Sequence, residues 1–90
     1  MVSIKSIRTG VIGIGSMGQN HARIYSEVSN LVGVADPDEK QGKIIAGKFG
    51  VTWYSDYKEM LQHVDAVTVS VPTSLHSEVA KNVINAGVNL

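Results

Sequence analysis

Ile7 to Asp36 reads IRTGVIGIGSMGQNHARIYSEVSNLVGVAD. Val11, Ile12 and Ile14 form an apolar run that leads into three glycines, Gly13, Gly15 and Gly18. An amphipathic stretch follows, then a second apolar run, Leu31 to Ala35, which ends on Asp36. The order is strand, glycine turn, helix, strand, carboxylate, the pattern of a βαβ unit that binds a dinucleotide. Three glycines alone would be weak support, because glycine is common. Here the flanking strand and helix are present, and Asp36 lies 18 residues beyond Gly18, near the spacing of about 20 expected of an acid that meets the ribose.

Each residue in the turn has a physical task. Gly13 permits the tight exit from the first strand. Gly15 has no Cβ, so a pyrophosphate can come close to the backbone, and Gly18 lets the helix pack close to the sheet. The first N–H groups of the helix, with Ser16 and Met17 adding backbone donors, then face the phosphates. Asp36 is placed to accept from both hydroxyls of an adenosine ribose. A carboxylate there repels a 2′-phosphate, which favours NAD over NADP. The plain alternatives are a glycine turn used for geometry alone and an Asp-Pro turn starter at Asp36 and Pro37.

Outward from this unit the pattern continues. The first strand is expected over Arg8 to Ile14, after a short lead-in at residues 1–6. The first helix starts near Ser16 or Met17, with Met17, His21, Ile24, Tyr25 and Val28 as its apolar face. His21 on that face reads as a packing residue. The second strand covers Leu31 to Ala35. A second helix covers Asp38 to Phe49, with Ile45 and Phe49 toward the sheet and Ile44 beside them, weakened by Gly42 and Gly47 and ended by Gly50. A third strand runs from Val51 to Tyr54. Asp56 and Glu59 form a capping box for a short helix reaching Gln62. Trp53, Tyr54 and Tyr57 read as packing around the third strand, and His63 as a surface loop residue.

The fourth strand covers Ala66 to Val71 and stops at Pro72. Thr73 or Ser74 caps a last helix with Leu75, Val79, Val83 and Ile84 on its face, ended by Gly87. Val88 to Leu90 begin a fifth strand. Strands alternating with helices over short connections imply an α/β fold, a three-layer, doubly wound, Rossmann-like parallel sheet. Ligands in such sheets bind beyond the carboxyl ends of the strands. The glycine turn and the segment Ser70 to His76 both reach that edge. There Pro72 fixes a turn whose backbone could line the cofactor, or which is an ordinary capped turn. His76 faces either the crevice or solvent.

Composition narrows the function further. Eight basic and eight acidic residues cancel, which gives no electrostatic reason to propose a nucleic acid or an anionic membrane as partner. There is no cysteine, so no thiolate metal site is possible, and the chain is compatible with the cytoplasm. The first residues contain no long apolar segment, so no signal peptide or membrane span is expected. No metal-ligand spacing, nucleophile elbow or Walker-type phosphate loop appears. Hydrophobic residues make up 43% of 90, enough for a core but few for a doubly wound domain. The chain reads as one partial domain over residues 1–90 of a larger protein.

Several stretches resemble one family in order: GVIGIGSMGQNHA from Gly10, VGVADPD from Val32, YSDYKEML from Tyr54, DAVTVSVPTSLHSEVA from Asp65 and AGVNL from Ala86. They are similar to the N-terminal part of the glucose–fructose oxidoreductase, inositol dehydrogenase and rhizopine-catabolism (Gfo/Idh/MocA) family. Pro72-Thr73 followed by His76 is the selective feature. The resemblance implies a two-domain NAD(P)-dependent oxidoreductase, usually oligomeric, acting on sugars, cyclitols and related alcohols. It implies Gly13, Gly15, Ser16, Met17 and Gly18 at the pyrophosphate, Asp36 at the ribose, and Val71, Pro72, Thr73 and His76 beside the cofactor. The family's proton-transfer lysine and substrate domain would follow Leu90. No catalytic residue is therefore assigned in this chain, which by itself is expected to be inactive. The rival readings are a non-catalytic NAD-binding or redox-sensing module and, more weakly, a methyltransferase, which the spaced Gly18 disfavours.

Overall fold

The computed structural model describes residues 7–71 and 73–90. The lead-in at 1–6, Pro72 and the side chain of Thr73 lie outside the described residues. Four parallel strands, β1 (Arg8–Ile12), β2 (Asn30–Ala35), β3 (Thr52–Tyr54) and β4 (Ala66–Val69), stand in the order β3-β2-β1-β4. Helices α1 (Ser16–Val28), α2 (Glu39–Phe49), α3 (Tyr57–Met60) and α4 (Thr73–Asn85) connect them, with a 3-10 turn (Leu61–His63) after α3. Chain order reverses between β1 and β4, and this is the switch point of a doubly wound sheet. Asn89 pairs with Ala66 in parallel, and its carbonyl accepts from Val67 N at 2.8 Å. The expected fifth strand thus begins beside β4.

Two cores flank the sheet. One gathers Val11, Ala22, Leu31, Val34, Ile45 and Ala46 under α1 and α2. The other gathers Ile12, Met60, Leu61, Val67, Val79 and Val83 under α3 and α4. Met60 is wholly buried. Its thioether fills a gap that Gly10 and Gly33, paired across β1 and β2, leave open. A Cβ on Gly10 would lie 2.8 Å from Met60 Cε, so glycine there makes room for a side chain.

The structure moves the faces of α1 and α4 from where apolar spacing put them. On α1 the buried residues are Gly18 and Ala22, while Met17 is 64% exposed and Ile24 and Val28 are also exposed. Gly18 explains the rotation. A Cβ there would stand 1.9 Å from the Gly13 carbonyl oxygen, so α1 turns its smallest residue to the closest backbone. On α2 the expected pair holds, Ile45 buried and Phe49 packed against the same core, while Ile44 beside them is 57% exposed. On α4, Val79 and Val83 are buried, while Leu75 and Ile84 are exposed.

Strand ends differ by small amounts. β1 stops at Ile12, two residues before the expected Ile14, because Gly13 turns the chain at φ +90°. β4 ends at Val69 rather than Val71. Asp38 caps α2 by accepting from Gln41 N at 3.1 Å, and Gly50 closes it in the left-handed conformation, φ +67°. Asp56 caps α3 by accepting from Lys58 N at 2.9 Å. Among the described residues, no reciprocal bond from Glu59 to the Asp56 amide completes the capping box.

Candidate cofactor site

The site grows from the end of β1. Gly13 N donates to Ala35 O at 2.8 Å, and Ser70 N donates to Ile12 O at 2.7 Å. These bonds bring the carboxyl ends of β1, β2 and β4 to one point. A Cβ on Gly13 would lie 2.0 Å from the Ser70 carbonyl oxygen. Glycine at 13 is therefore required twice, by positive φ and by contact with the next strand end. Gly15 differs: a Cβ there would meet no atom within 4 Å. Its open side is space that a ligand could fill.

Gly15 also stands at the cap position of α1, with no side-chain cap. The first turn bond runs from Gln19 N to Gly15 O at 2.9 Å. The amides of Ser16, Met17 and Gly18 precede it, and such amides at a helix start have no intrahelical acceptor. Together with the helix dipole they suit an anion. Gln19 Nε2 donates to Ile14 O at 3.1 Å and steadies the loop from the other side.

Asp36 is half-buried at the end of β2. Its Oδ2 accepts from Ile14 N at 3.1 Å, and its Oδ1 accepts from Asp38 N at 2.8 Å. The turn-starter reading of this residue is met here. One oxygen closes the turn with Asp38, and the other ties the acid to the glycine loop. Each oxygen has further lone pairs, because a carboxylate offers about four acceptor sites.

A cavity of about 610 Å³ opens at this edge. Gly13, Gly15, Asp36 and Val71 of the expected site line it. Gly18 does not. It is buried behind the cavity against Gly13. Ser16 and Met17 are exposed at the start of α1, and His76 is exposed in the first turn of α4. These three are not among the lining residues. Thr73 opens α4. His21 is half-buried on α1, away from the cavity lining, in keeping with a packing role. His63 is exposed in the 3-10 turn, its ring stacked on Tyr54 with centroids 6.1 Å apart.

Sequence reasoning missed one wall. Ser55 and Asp56, between β3 and α3, and Tyr57, the first residue of α3, line the cavity together with Leu75 and Val79 of α4. Asn82 Nδ2 donates to the Tyr57 hydroxyl at 2.7 Å and holds the ring. Their place just past the carboxyl end of a parallel strand was the available signal. Asp56 stood out only as a helix cap, and Tyr57 only as packing. Among the described residues no cluster of acids and histidines could hold a metal ion.

A glycine turn under a helix start, with an acid bonded to it at the switch point of a parallel sheet, belongs to the class of dinucleotide-binding Rossmann domains. Within that class the chain belongs to the oxidoreductase family with an NAD-binding Rossmann fold, Gfo/Idh/MocA, whose family model matches residues 7–90. It is similar to UDP-N-acetylglucosamine 3-dehydrogenase from Acidithiobacillus ferrooxidans. A solved structure of that enzyme matches with TM-score 0.89 and 36% identity, over 98% of this chain and 28% of that one. Inositol 2-dehydrogenase from Rhizobium meliloti is 32% identical over 91% of this chain and 26% of its own length. Scyllo-inositol dehydrogenase from Lactobacillus casei, solved with NAD(H) and scyllo-inositol, matches with TM-score 0.84 and 26% identity, over 93% of this chain and 26% of that one. The chain spans about a quarter of the length of the curated relatives it matches.

Proposed function

We propose that this chain is the cofactor-holding part of an NAD-dependent oxidoreductase that moves hydride between nicotinamide and an alcohol carbon of a sugar or cyclitol. The observation that carries this reading is the bond between Ile14 N and Asp36 Oδ2. It joins the phosphate-binding type of turn and the ribose-binding type of acid into one unit at the mouth of one cavity. The relatives' names, inositol and UDP-N-acetylglucosamine dehydrogenases, supply the substrate class.

The chain's own residues divide the work. The amides of Ser16, Met17 and Gly18 face the pyrophosphate, with Gly13 making the turn and Gly15 leaving room for it. Asp36 accepts from the adenosine ribose and disfavours a 2′-phosphate, hence NAD over NADP. The apolar faces of Val71, Leu75, Val79 and Tyr57 suit a flat base and exclude water from it. By the family resemblance, Pro72, Thr73 and His76 serve the nicotinamide half of the cofactor. Bound NAD supplies the nicotinamide carbon that takes the hydride. The substrate and the proton-transfer groups belong to a further domain of the parent protein.

No described helix is long and apolar enough to cross a membrane. We place the parent in the cytoplasm as a homo-oligomer without nucleic-acid partners, in line with the balanced charge of this chain. Calorimetric titration with NAD, NADP and S-adenosylmethionine tests the reading. NAD should bind most tightly, although weakly, and without turnover of alcohols. Tighter binding of NADP would overturn the role of Asp36, and binding of S-adenosylmethionine alone would overturn the family's cofactor for this chain.

A further inference from the structure

Asp36 is clamped at every polar atom. Its carboxylate accepts from Ile14 N and Asp38 N. Its N–H donates to Tyr54 O at 3.1 Å, and its carbonyl accepts from Trp53 Nε1 at 2.9 Å. Two of these four anchors come from the short edge strand β3. The next residue is Pro37, which has no N–H to donate. The turn is thus held from below through the Asp36 carbonyl, and the donor is a side chain from 17 residues downstream.

The indole is seated with a specificity that packing alone does not require. A Cβ on Gly42 would lie 2.1 Å from Trp53 Nε1 and 2.2 Å from Cδ1. Glycine inside a helix costs about 1 kcal/mol against alanine. At position 42 it leaves room for the polar edge of the indole that reaches the Asp36 carbonyl. Lys43 Nζ lies 5.7 Å from the ring centroid and adds a cation–π contact. A phenylalanine could fill much of the same volume but would leave that carbonyl without its donor.

We propose that Trp53, seated on Gly42, is a positioning residue for the ribose-reading acid: its indole N–H sets the Asp36 turn and so contributes to the preference for NAD over NADP. This rests on the ribose role proposed for Asp36. The indole N–H does not touch the cofactor and acts through one main-chain carbonyl. A net hydrogen bond of ordinary strength corresponds to roughly a three- to tenfold effect.

The test compares the wild-type chain with Trp53→Phe by calorimetric titration of NAD and of NADP. Trp53→Phe should weaken NAD three- to tenfold and NADP much less, so that the preference narrows. An equal loss for both, or no loss, overturns the inference. A second measurement needs no variant. Trp53 is the sole tryptophan, so its indole N–H gives a single NMR signal. Coupling between sites is reciprocal, so saturating NAD should slow exchange of that proton by the same factor. Unchanged exchange in a chain that binds NAD overturns the inference and leaves the proposed function standing. A wild-type chain that takes up no NAD overturns the proposed function itself.

Discussion

Gly18→Ala tests the contact that seats α1 on the glycine turn. The added Cβ would stand 1.9 Å from the Gly13 carbonyl oxygen and 2.8 Å from its carbon. A close C···O contact needs about 3.3 Å, so α1 must retreat by about 1.4 Å or the turn must deform. Both partners are backbone, and no flexible side chain can yield. Helix propensity alone favours alanine by about 1 kcal/mol. Overpacking costs typically 1–3 kcal/mol, and a backbone clash belongs at the upper end, which leaves a net loss of about 2 kcal/mol. For a domain of this size that lowers Tm by roughly 8–16 °C.

Gly47→Ala is the matched control. It is also a helical glycine, but a Cβ there meets nothing within 4 Å. It should gain about 1 kcal/mol and raise Tm by roughly 4–8 °C. Thermal denaturation followed by circular dichroism measures both shifts. Calorimetry with NAD should show at least a tenfold loss for Gly18→Ala, because the retreat withdraws the first amides of α1 from the turn, and no loss for Gly47→Ala. A Gly18→Ala chain melting at or above wild type would refute the steric reasoning.

Three further outcomes are expected. Asp36→Asn keeps an acceptor for Ile14 N or Asp38 N but loses the charge; calorimetry should show weaker NAD binding and a ratio of NAD to NADP affinity near one, and an unchanged ratio would count against the ribose role. The Arg8 side chain and then its amide bond to Asp65, the side chain at 2.9 Å from Oδ1, and hold its carboxyl below the usual range. Because the charged form is favoured in the folded chain, this contribution is complete above the unfolded value of about 3.9 and is lost as pH falls through the lower folded value. The Tm difference between wild type and Asp65→Asn should therefore be steady from pH 7 to 5 and shrink below about pH 4, by a small, salt-sensitive amount since the pair is exposed. Met60→Ala should cost about 2–5 kcal/mol in denaturant titration, because the gap between Gly10 and Gly33 cannot close over a shorter side chain.

Much of the site was legible because its logic is local. Gly13, Gly15 and Gly18 announce a turn, and the caps at Asp56 and Gly50 act within a few residues of themselves. The helix faces were less legible for a definite reason. Two stripes compete on α1, and apolar spacing selects Met17, Ile24 and Val28. Glycine carries no hydrophobic signal, so the stripe of Gly18 and Ala22 that touches the sheet was passed over.

The chain order of strands and helices, the glycine turn and the acid that follows it were determined by sequence alone. Each depends on neighbours in the chain and on backbone freedom that residue type sets directly. Only the tertiary structure decided the register of β2, where Thr9 pairs with Leu31 but Gly10 pairs with Gly33. Val32 is the extra residue, and it puts Leu31 and Val34 into one core against simple alternation. Only the tertiary structure also revealed the Met60 plug, the wall at Ser55 to Tyr57 and the indole beneath Asp36. These contacts join residues far apart in the chain. They follow from where whole strands and helices come to rest against one another, which no local pattern records.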